Sequence, residues 1–125
     1  MKELIKTLVE AYGPSGDEGQ VRALIEGMIG EKADEVRTDA LGNLIALKKG
    51  SGEGKRIMVA AHMDEIGVMV TYVDKKGFLR FAPVGGLRIN TVIGGRVRFA
   101  NGAIGVIGQE GRPRSSELPS WGKLF

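Results

Sequence analysis

The sequence contains no cysteine and few aromatic residues. With no cysteine among 125 residues, disulfides, thiolate metal sites and cysteine nucleophiles are excluded. Aromatic residues make up 6% of the chain, and the excess of 18 basic over 15 acidic residues is spread along it. We therefore expect no nucleic-acid partner. No apolar run is long enough to span a membrane, and the N-terminus lacks a signal peptide's apolar core, so we expect a cytoplasmic protein without a membrane partner.

Two helices are predicted near the N-terminus. Apolar residues recur at helical spacing over residues 2–12 and again up to Ile29, which is typical of amphipathic helices. The dipeptide Gly13-Pro14 separates the two helices. Ser15 stands three residues before Glu18, the spacing of a capping box, and Gly30 is a candidate C-cap. For residues 13–16 we favour packing and capping over a functional role.

The middle and C-terminal parts of the chain read as short strands separated by turns. Turn sequences occur at residues 39–42 and 74–77 and at Asn101-Gly102. Successive short strands over residues 70–108 are typical of a small β-barrel. Gly94 and Gly95 are not followed by a helical pattern, so a phosphate-binding loop is not expected. The predicted strands cover residues 34–38, 43–48, 68–73, 78–81, 92–99 and 103–108.

An apolar run, Ile57 to Ala61, leads directly into a group of polar side chains. Five consecutive apolar residues are typical of a strand that is buried on both faces of a parallel sheet. Ligand sites in such sheets form beyond the carboxyl ends of the strands. His62, the single histidine of the chain, occupies that position.

The spacing His62-x-Asp64 has a known chemical use. One ring nitrogen of a neutral imidazole binds a metal, while the other donates to a carboxylate that fixes the tautomer. In extended backbone, residues two apart point to the same face, so Asp64 can lie beside His62. A histidine hydrogen-bonded to a neighbouring acid without any metal is the other interpretation. On the tripeptide alone we favour this metal-free interpretation, because a site needs several converging groups and not one side chain.

Several segments, in order, resemble the M42 family of metallo-aminopeptidases, some of whose relatives carry an endoglucanase name. The resemblance covers residues 1–111 and weakens over residues 112–121. It is carried by Gly13-Pro14-Ser15-Gly16, Asp39-Ala40-Leu41-Gly42-Asn43-Leu44-Ile45, Ala61-His62-Met63-Asp64-Glu65-Ile66-Gly67, Lys76-Gly77-Phe78-Leu79-Arg80-Phe81, Pro83-Val84-Gly85-Gly86 and Gly105-Val106-Ile107-Gly108.

The resemblance implies an α/β fold. Residues 1–69 would form the N-terminal part of a zinc-peptidase-like catalytic domain, and residues 70–125 an incomplete β-barrel dimerisation domain. It implies a homo-oligomer with a peptide substrate and two divalent metal ions, zinc or cobalt. His62 would bind metal, and Asp64 would be the catalytic-site carboxylate that orients the imidazole. Glu65 belongs to the matching motif and receives no role.

The chain departs from the family by its length. The family pattern continues with the remaining metal ligands and a glutamate general base, which have no counterpart here. We therefore expect a truncated or cleaved chain that binds metal weakly or not at all and has no peptidase activity of its own. A non-catalytic oligomerisation module is an alternative. A glucanase is a weaker one, because it needs two carboxylates facing each other across a sugar.

Overall fold

The computed structural model describes residues 1–111 and 120–124, and it combines helices with strands. The mixed helix and strand class predicted from the sequence is confirmed. The chain forms two compact units, Met1–Glu65 and Ile66–Phe125. The helices are α1 (Lys2–Glu10), α2 (Gly19–Ile29) and α3 (Ile89–Val92), and the strands are β1 (Glu35–Thr38), β2 (Leu44–Leu47), β3 (Gly67–Val73), β4 (Leu79–Val84), β5 (Arg96–Arg98) and β6 (Ile104–Val106).

The six strands pair into three antiparallel hairpins, β1 with β2, β3 with β4 and β5 with β6. In β1–β2 the register aligns Val36 with Ala46, and in β5–β6 it aligns Val97 with Gly105. The β3–β4 pair contains a register shift between Val70 and Tyr72. The β-barrel and the division of the domains at residues 69 and 70, a position inside β3, both stay predictions.

The three hairpin loops share one hydrogen-bond pattern. In each loop, the backbone amide of the first residue donates to the carbonyl oxygen of the residue four positions later. The amide of the glycine three positions after the first residue donates to the carbonyl oxygen of that first residue. The donor–acceptor distances lie between 2.8 and 3.1 Å in all three loops. The glycines Gly42, Gly77 and Gly102 have φ of 87°, 86° and 86°, a region that is strained for residues with a Cβ. The hairpins predicted from the turn sequences are therefore confirmed.

The capping role predicted for Ser15 is wrong. Helix α2 begins at Gly19, its N-cap position is Glu18, and no side chain caps it. The Glu18 carboxylate instead accepts a hydrogen bond from the Gly16 amide at 2.6 Å. The hydroxyl of Ser15 bonds to a residue far along the chain, which is described below. Gly30 does occupy the C-cap, with a right-handed φ of −52°, because the chain continues into a 3₁₀ turn, Gly30–Lys32.

The segment from Ile57 to Ala61 is not a strand in the structure, so the prediction of a buried strand in a parallel sheet is wrong. Ile57, Met58 and Val59 are 87%, 89% and 91% exposed. A strand buried on both faces needs neighbours in its sheet and helices over each face. Among residues 1–111 and 120–124, no strand pairs with this segment. The apolar side chains of this segment are therefore not buried by the described part of the chain.

The predicted strand over residues 92–99 is wrong in its first half. Helix α3 ends at Val92, and β5 begins only at Arg96. Gly94 has φ of 77°, and a Cβ on Gly95 would lie 2.8 Å from the carbonyl oxygen of Val92. These two glycines therefore let the chain turn tightly between α3 and β5.

The core of the second unit forms around Val92, Ile107 and Leu124, which are 9%, 5% and 0% exposed. Partly buried apolar residues pack against these three, and the rings of Phe81 and Trp121 meet edge to face with centroids 6.4 Å apart. None of the helices in the described ranges is both long and apolar enough to cross a membrane.

In the first unit, Val21 of α2 is 3% exposed and packs closely against Gly13. A Cβ at position 13 would lie 2.4 Å from Cγ1 of Val21 and 3.0 Å from its Cβ. The carbonyl oxygen of Gly13 also accepts a hydrogen bond of 2.9 Å from the Glu65 amide. Gly13 therefore lies between a helix and a hydrogen-bonded backbone, where there is no room for a side chain.

Replacing Gly13 with alanine should destabilise the first unit by about 1–3 kcal/mol, the usual cost of overpacking. Faster hydrogen exchange of the Val21 and Glu65 amides, measured by NMR, would report this loss. Val21→Ala removes the clashing methyl groups, so Gly13→Ala should cost much less in that background. Gly27→Ala is the matched control, because a Cβ at Gly27 meets nothing within 4 Å and alanine favours the helix. Equal costs of Gly13→Ala in both backgrounds would contradict the packing argument.

Protonation of Asp39 at acidic pH should destabilise the β1–β2 hairpin. The Asn43 side chain and the Asn43 and Leu41 amides donate to its carboxylate at 2.9–3.0 Å. These bonds, above all that from the Asn43 side chain, lower the pKa of Asp39 from the ordinary value of 3.8. Because the folded-state pKa is lowered, the stabilisation is present above that ordinary value and is lost as the pH falls through the folded pKa.

Asn43→Ala should move the pKa of Asp39 back up and shift the acid-induced loss of the hairpin to higher pH. A carboxyl-detected NMR titration of Asp39 measures this change. Asn90→Ala, in the second unit, is the control and should leave the titration of Asp39 unaltered. An unchanged pKa in Asn43→Ala would show that the backbone amides alone set it.

Candidate functional site

The candidate site lies where residues 13–15 run beside the segment that contains His62 and Asp64. Pro14 and Glu65 form a parallel bridge. The Glu65 amide donates to the Gly13 carbonyl oxygen at 2.9 Å, and the Ser15 amide donates to the Glu65 carbonyl oxygen at 3.2 Å. This pairing aligns Ser15 with the motif although 49 residues separate Ser15 from Asp64.

The structure brings together the two residues predicted from the sequence. The Nδ1 atom of His62 lies 3.0 Å from Oδ1 of Asp64 and 3.1 Å from the Asp64 carbonyl oxygen. Both of these atoms are hydrogen-bond acceptors, so Nδ1 carries the proton in the neutral ring. The pairing was predicted from the side-chain alternation of a strand, yet the structure achieves it without one.

Ser15 completes a chain of three side chains. Its hydroxyl donates to Oδ2 of Asp64, while Oδ1 of the same carboxylate faces His62. The bond from Ser15 is the largest cause that lowers the pKa of Asp64 from its ordinary value, and the bond from His62 adds to it. The carboxylate is therefore held in its charged form, with one oxygen bonded on each side.

The imidazole of His62 is 85% exposed, whereas the Asp64 side chain is 34% exposed. Because Nδ1 faces Asp64, the lone pair belongs to Nε2, and Nε2 makes no hydrogen bond within the described part of the chain. An exposed nitrogen with a free lone pair, on a ring oriented by a carboxylate, has the chemistry of a histidine metal ligand.

The donor set available in the described residues does not complete a metal site. Zinc sites use at least three protein ligands, and among residues 1–111 and 120–124 no three histidine, aspartate or glutamate side chains converge. His62 therefore contributes one donor. The geometry supplies one exposed imidazole nitrogen and the carboxylate that orients its ring, and a metal site would need further ligands.

Sequence reasoning missed Ser15 as a member of the site. Its spacing to Glu18 pointed to a helix cap, whereas its hydroxyl bonds to Asp64. One signal was available, because Gly13-Pro14-Ser15-Gly16 was among the segments that resemble the M42 family.

The family model of the M42 glutamyl aminopeptidases matches residues 42–116, more than half of the chain. A protein of Acetivibrio thermocellus that carries a provisional aminopeptidase name is 55% identical over 107 residues, which are 86% of this chain and 32% of that protein. The lysyl aminopeptidase of Pyrococcus furiosus is 47% identical over 98 residues, which are 78% of this chain and 28% of that enzyme.

Solved structures give the same result. An endoglucanase-named protein of Thermotoga maritima superposes with a TM-score of 0.83 at 43% identity, over 95% of this chain and 36% of that one. A TET aminopeptidase of a marine sediment Thaumarchaeota archaeon superposes with a TM-score of 0.87 at 34% identity, over 98% of this chain and 36% of that one. PhTET1-12s, a dodecamer in the asymmetric unit of its crystal, superposes with a TM-score of 0.79 at 37% identity. The match covers 99% of this chain and 38% of that one.

The chain thus spans about a third of the length of the curated relatives and solved structures that it matches. Within that third, the family model covers Asn43 and β2, the His62-x-Asp64 motif and the two hairpins of the second unit. The agreement of the family model, the relatives and the structures shows that this chain belongs to the M42 glutamyl aminopeptidase family.

Proposed function

We propose that this chain is part of a metal-dependent aminopeptidase in which His62 binds a metal ion through Nε2. The observation that carries the proposal is the contact of 3.0 Å between Nδ1 of His62 and the Asp64 carboxylate. It fixes the tautomer that leaves Nε2 available, while the exposure of the ring leaves room for a ligand. The family membership and the aminopeptidase names of the relatives support the same function.

The proposal assigns limited chemistry to the residues of this chain. His62 provides a nitrogen ligand, and Asp64 holds the ring and keeps a negative charge beside it. Zinc or cobalt, when bound in such an enzyme, polarises the peptide carbonyl and activates a water. The further ligands and a general base would belong to parts of the protein outside this chain. Residues 1–69 would then belong to the catalytic domain, and residues 70–125 to the barrel that joins subunits.

Transfer of this chain into a related enzyme tests the proposal. Residues 1–111 would replace the corresponding segment of the Pyrococcus furiosus lysyl aminopeptidase, and hydrolysis of lysyl-p-nitroanilide with added Co²⁺ would be measured. We expect an active chimera and no turnover by the 125-residue chain alone. His62→Ala in the chimera should lower the rate by more than the roughly 10–100-fold that is typical of losing a ligand's outer partner.

Asp64→Asn in the same chimera should lower the rate by roughly 10–100-fold, because the amide still contacts the ring but carries no charge. Asp17→Asn is the control, since Asp17 is exposed and lies outside the site. A folded chimera without activity, or one that stays active with His62→Ala, would contradict the proposal.

A glucanase function has less support. The Thermotoga maritima structure carries an endoglucanase name, but glycoside hydrolysis needs two carboxyl groups facing each other across the sugar. Both carboxylate oxygens of Asp64 accept hydrogen bonds, from Ser15 and from His62. That geometry favours a carboxylate that orients a histidine, so the name of the relative does not change the proposal.

We also propose that the chain associates with copies of itself. PhTET1-12s is a dodecamer, and in this chain Ile57, Met58 and Val59 expose an apolar segment almost completely. Light scattering should therefore show particles larger than a monomer. Met58→Lys with Val59→Lys should reduce the association, whereas Ser51→Lys in the neighbouring exposed loop should not. A monomer at high concentration would contradict this proposal.

A further inference from the structure

Ser15 lies at the far side of the Asp64 carboxylate from His62. Its hydroxyl donates to Oδ2 of Asp64, and Oδ1 faces Nδ1 of His62 at 3.0 Å. A carboxylate that receives a bond at one oxygen loses the freedom to rotate about its Cβ–Cγ bond. The second oxygen is then held where the imidazole needs it. The three side chains form one connected path from residue 15 to the exposed ring nitrogen.

Packing cannot supply this orientation. The His62 ring is 85% exposed and Asp64 is 34% exposed, so neither side chain is fixed by close neighbours on all sides. The backbone beside both Ser15 and Asp64 is anchored. The Ser15 amide donates to the Glu65 carbonyl oxygen, and the Glu65 amide bonds to Gly13 on the other side of Pro14. These bonds hold the two segments together, so the Ser15 hydroxyl is presented to the Asp64 carboxylate from a fixed backbone.

From this geometry we infer that Ser15 is a positioning residue: its hydroxyl locks the Asp64 carboxylate and, through it, the Nδ1-protonated tautomer of His62. The inference deepens the proposed function and rests on it for its consequence in catalysis. In this role Ser15 contacts Asp64 and not the His62 ring. Its effect reaches the exposed Nε2 of His62 only through Asp64.

The chain offers a clean measurement, because it contains a single histidine. Two-dimensional ¹H–¹⁵N NMR of the imidazole at mildly alkaline pH gives the ratio of the two neutral tautomers directly. In the native chain the Nδ1-protonated form should dominate. Ser15→Ala keeps the backbone pairing and removes the hydroxyl, so the ratio should move toward the Nε2-protonated form by roughly 2- to 10-fold, as for one lost hydrogen bond.

Two further variants separate the hydroxyl from the packing of the side chain. Ser15→Thr retains a hydroxyl and should keep the native ratio. Ser15→Cys has nearly the same shape but a weak donor, so it should behave like Ser15→Ala. Ser51→Ala, which removes an exposed hydroxyl elsewhere in the same unit, should change nothing. An unchanged tautomer ratio in both Ser15→Ala and Ser15→Cys would overturn the inference.

The chimera with the Pyrococcus furiosus enzyme gives a second readout. Ser15→Ala should lower kcat by about tenfold, the low end for outer partners of a metal ligand, and leave KM unchanged, because no contact to the substrate is removed. Ser15→Thr should restore kcat. A rise in KM with kcat unchanged would overturn the positioning role of Ser15. If His62→Ala left the chimera active, the proposed function would fail, while the tautomer ratio would still decide whether Ser15 positions the ring.

Discussion

The candidate site depends on a short parallel pairing between residues 13–15 and Glu65. Two backbone hydrogen bonds flank Pro14, one to Gly13 and one to Ser15. Pro14, the central residue of this parallel bridge, contributes neither an amide nor a carbonyl to the pairing with Glu65. The missing N–H of a proline therefore costs the pairing nothing. The absence of a side chain at Gly13 lets Val21 of α2 approach the pairing from the other side. The segment that holds Ser15 is therefore fixed by backbone contacts on one side and by helix packing on the other.

The hairpins could be predicted because their causes are local. In the first two loops an aspartate accepts bonds from amides two and four residues later, and a glycine with positive φ closes the turn. In the third loop the Asn101 side chain bonds to the Ala103 amide. Five or six consecutive residues contain everything that such a turn needs. The positions of α1 and α2 follow in the same way from the spacing of their apolar residues.

The errors fall where burial or pairing depends on distant parts of the chain. Ile57 to Ala61 has the composition of a buried strand, but composition does not supply the neighbouring strands and helices that bury it. Ser15 and Glu18 have the spacing of a capping box, but the hydroxyl has a stronger acceptor in the Asp64 carboxylate. A spacing of three residues is visible in the sequence. A contact across 49 residues is visible only through the resemblance of both segments to one family.

His62 and Asp64 were predicted as a pair, and the structure adds a third side chain, Ser15, to their contact. An exposed imidazole in water exchanges freely between its tautomers, and a bond to a mobile, exposed carboxylate biases that exchange only weakly. The bias grows when the carboxylate cannot turn away, and Ser15 prevents that turn from a backbone that is itself anchored. An exposed imidazole thus obtains its orientation through successive hydrogen bonds. The first of these is the bond from the Ser15 hydroxyl, whose backbone is held by the pairing around Pro14.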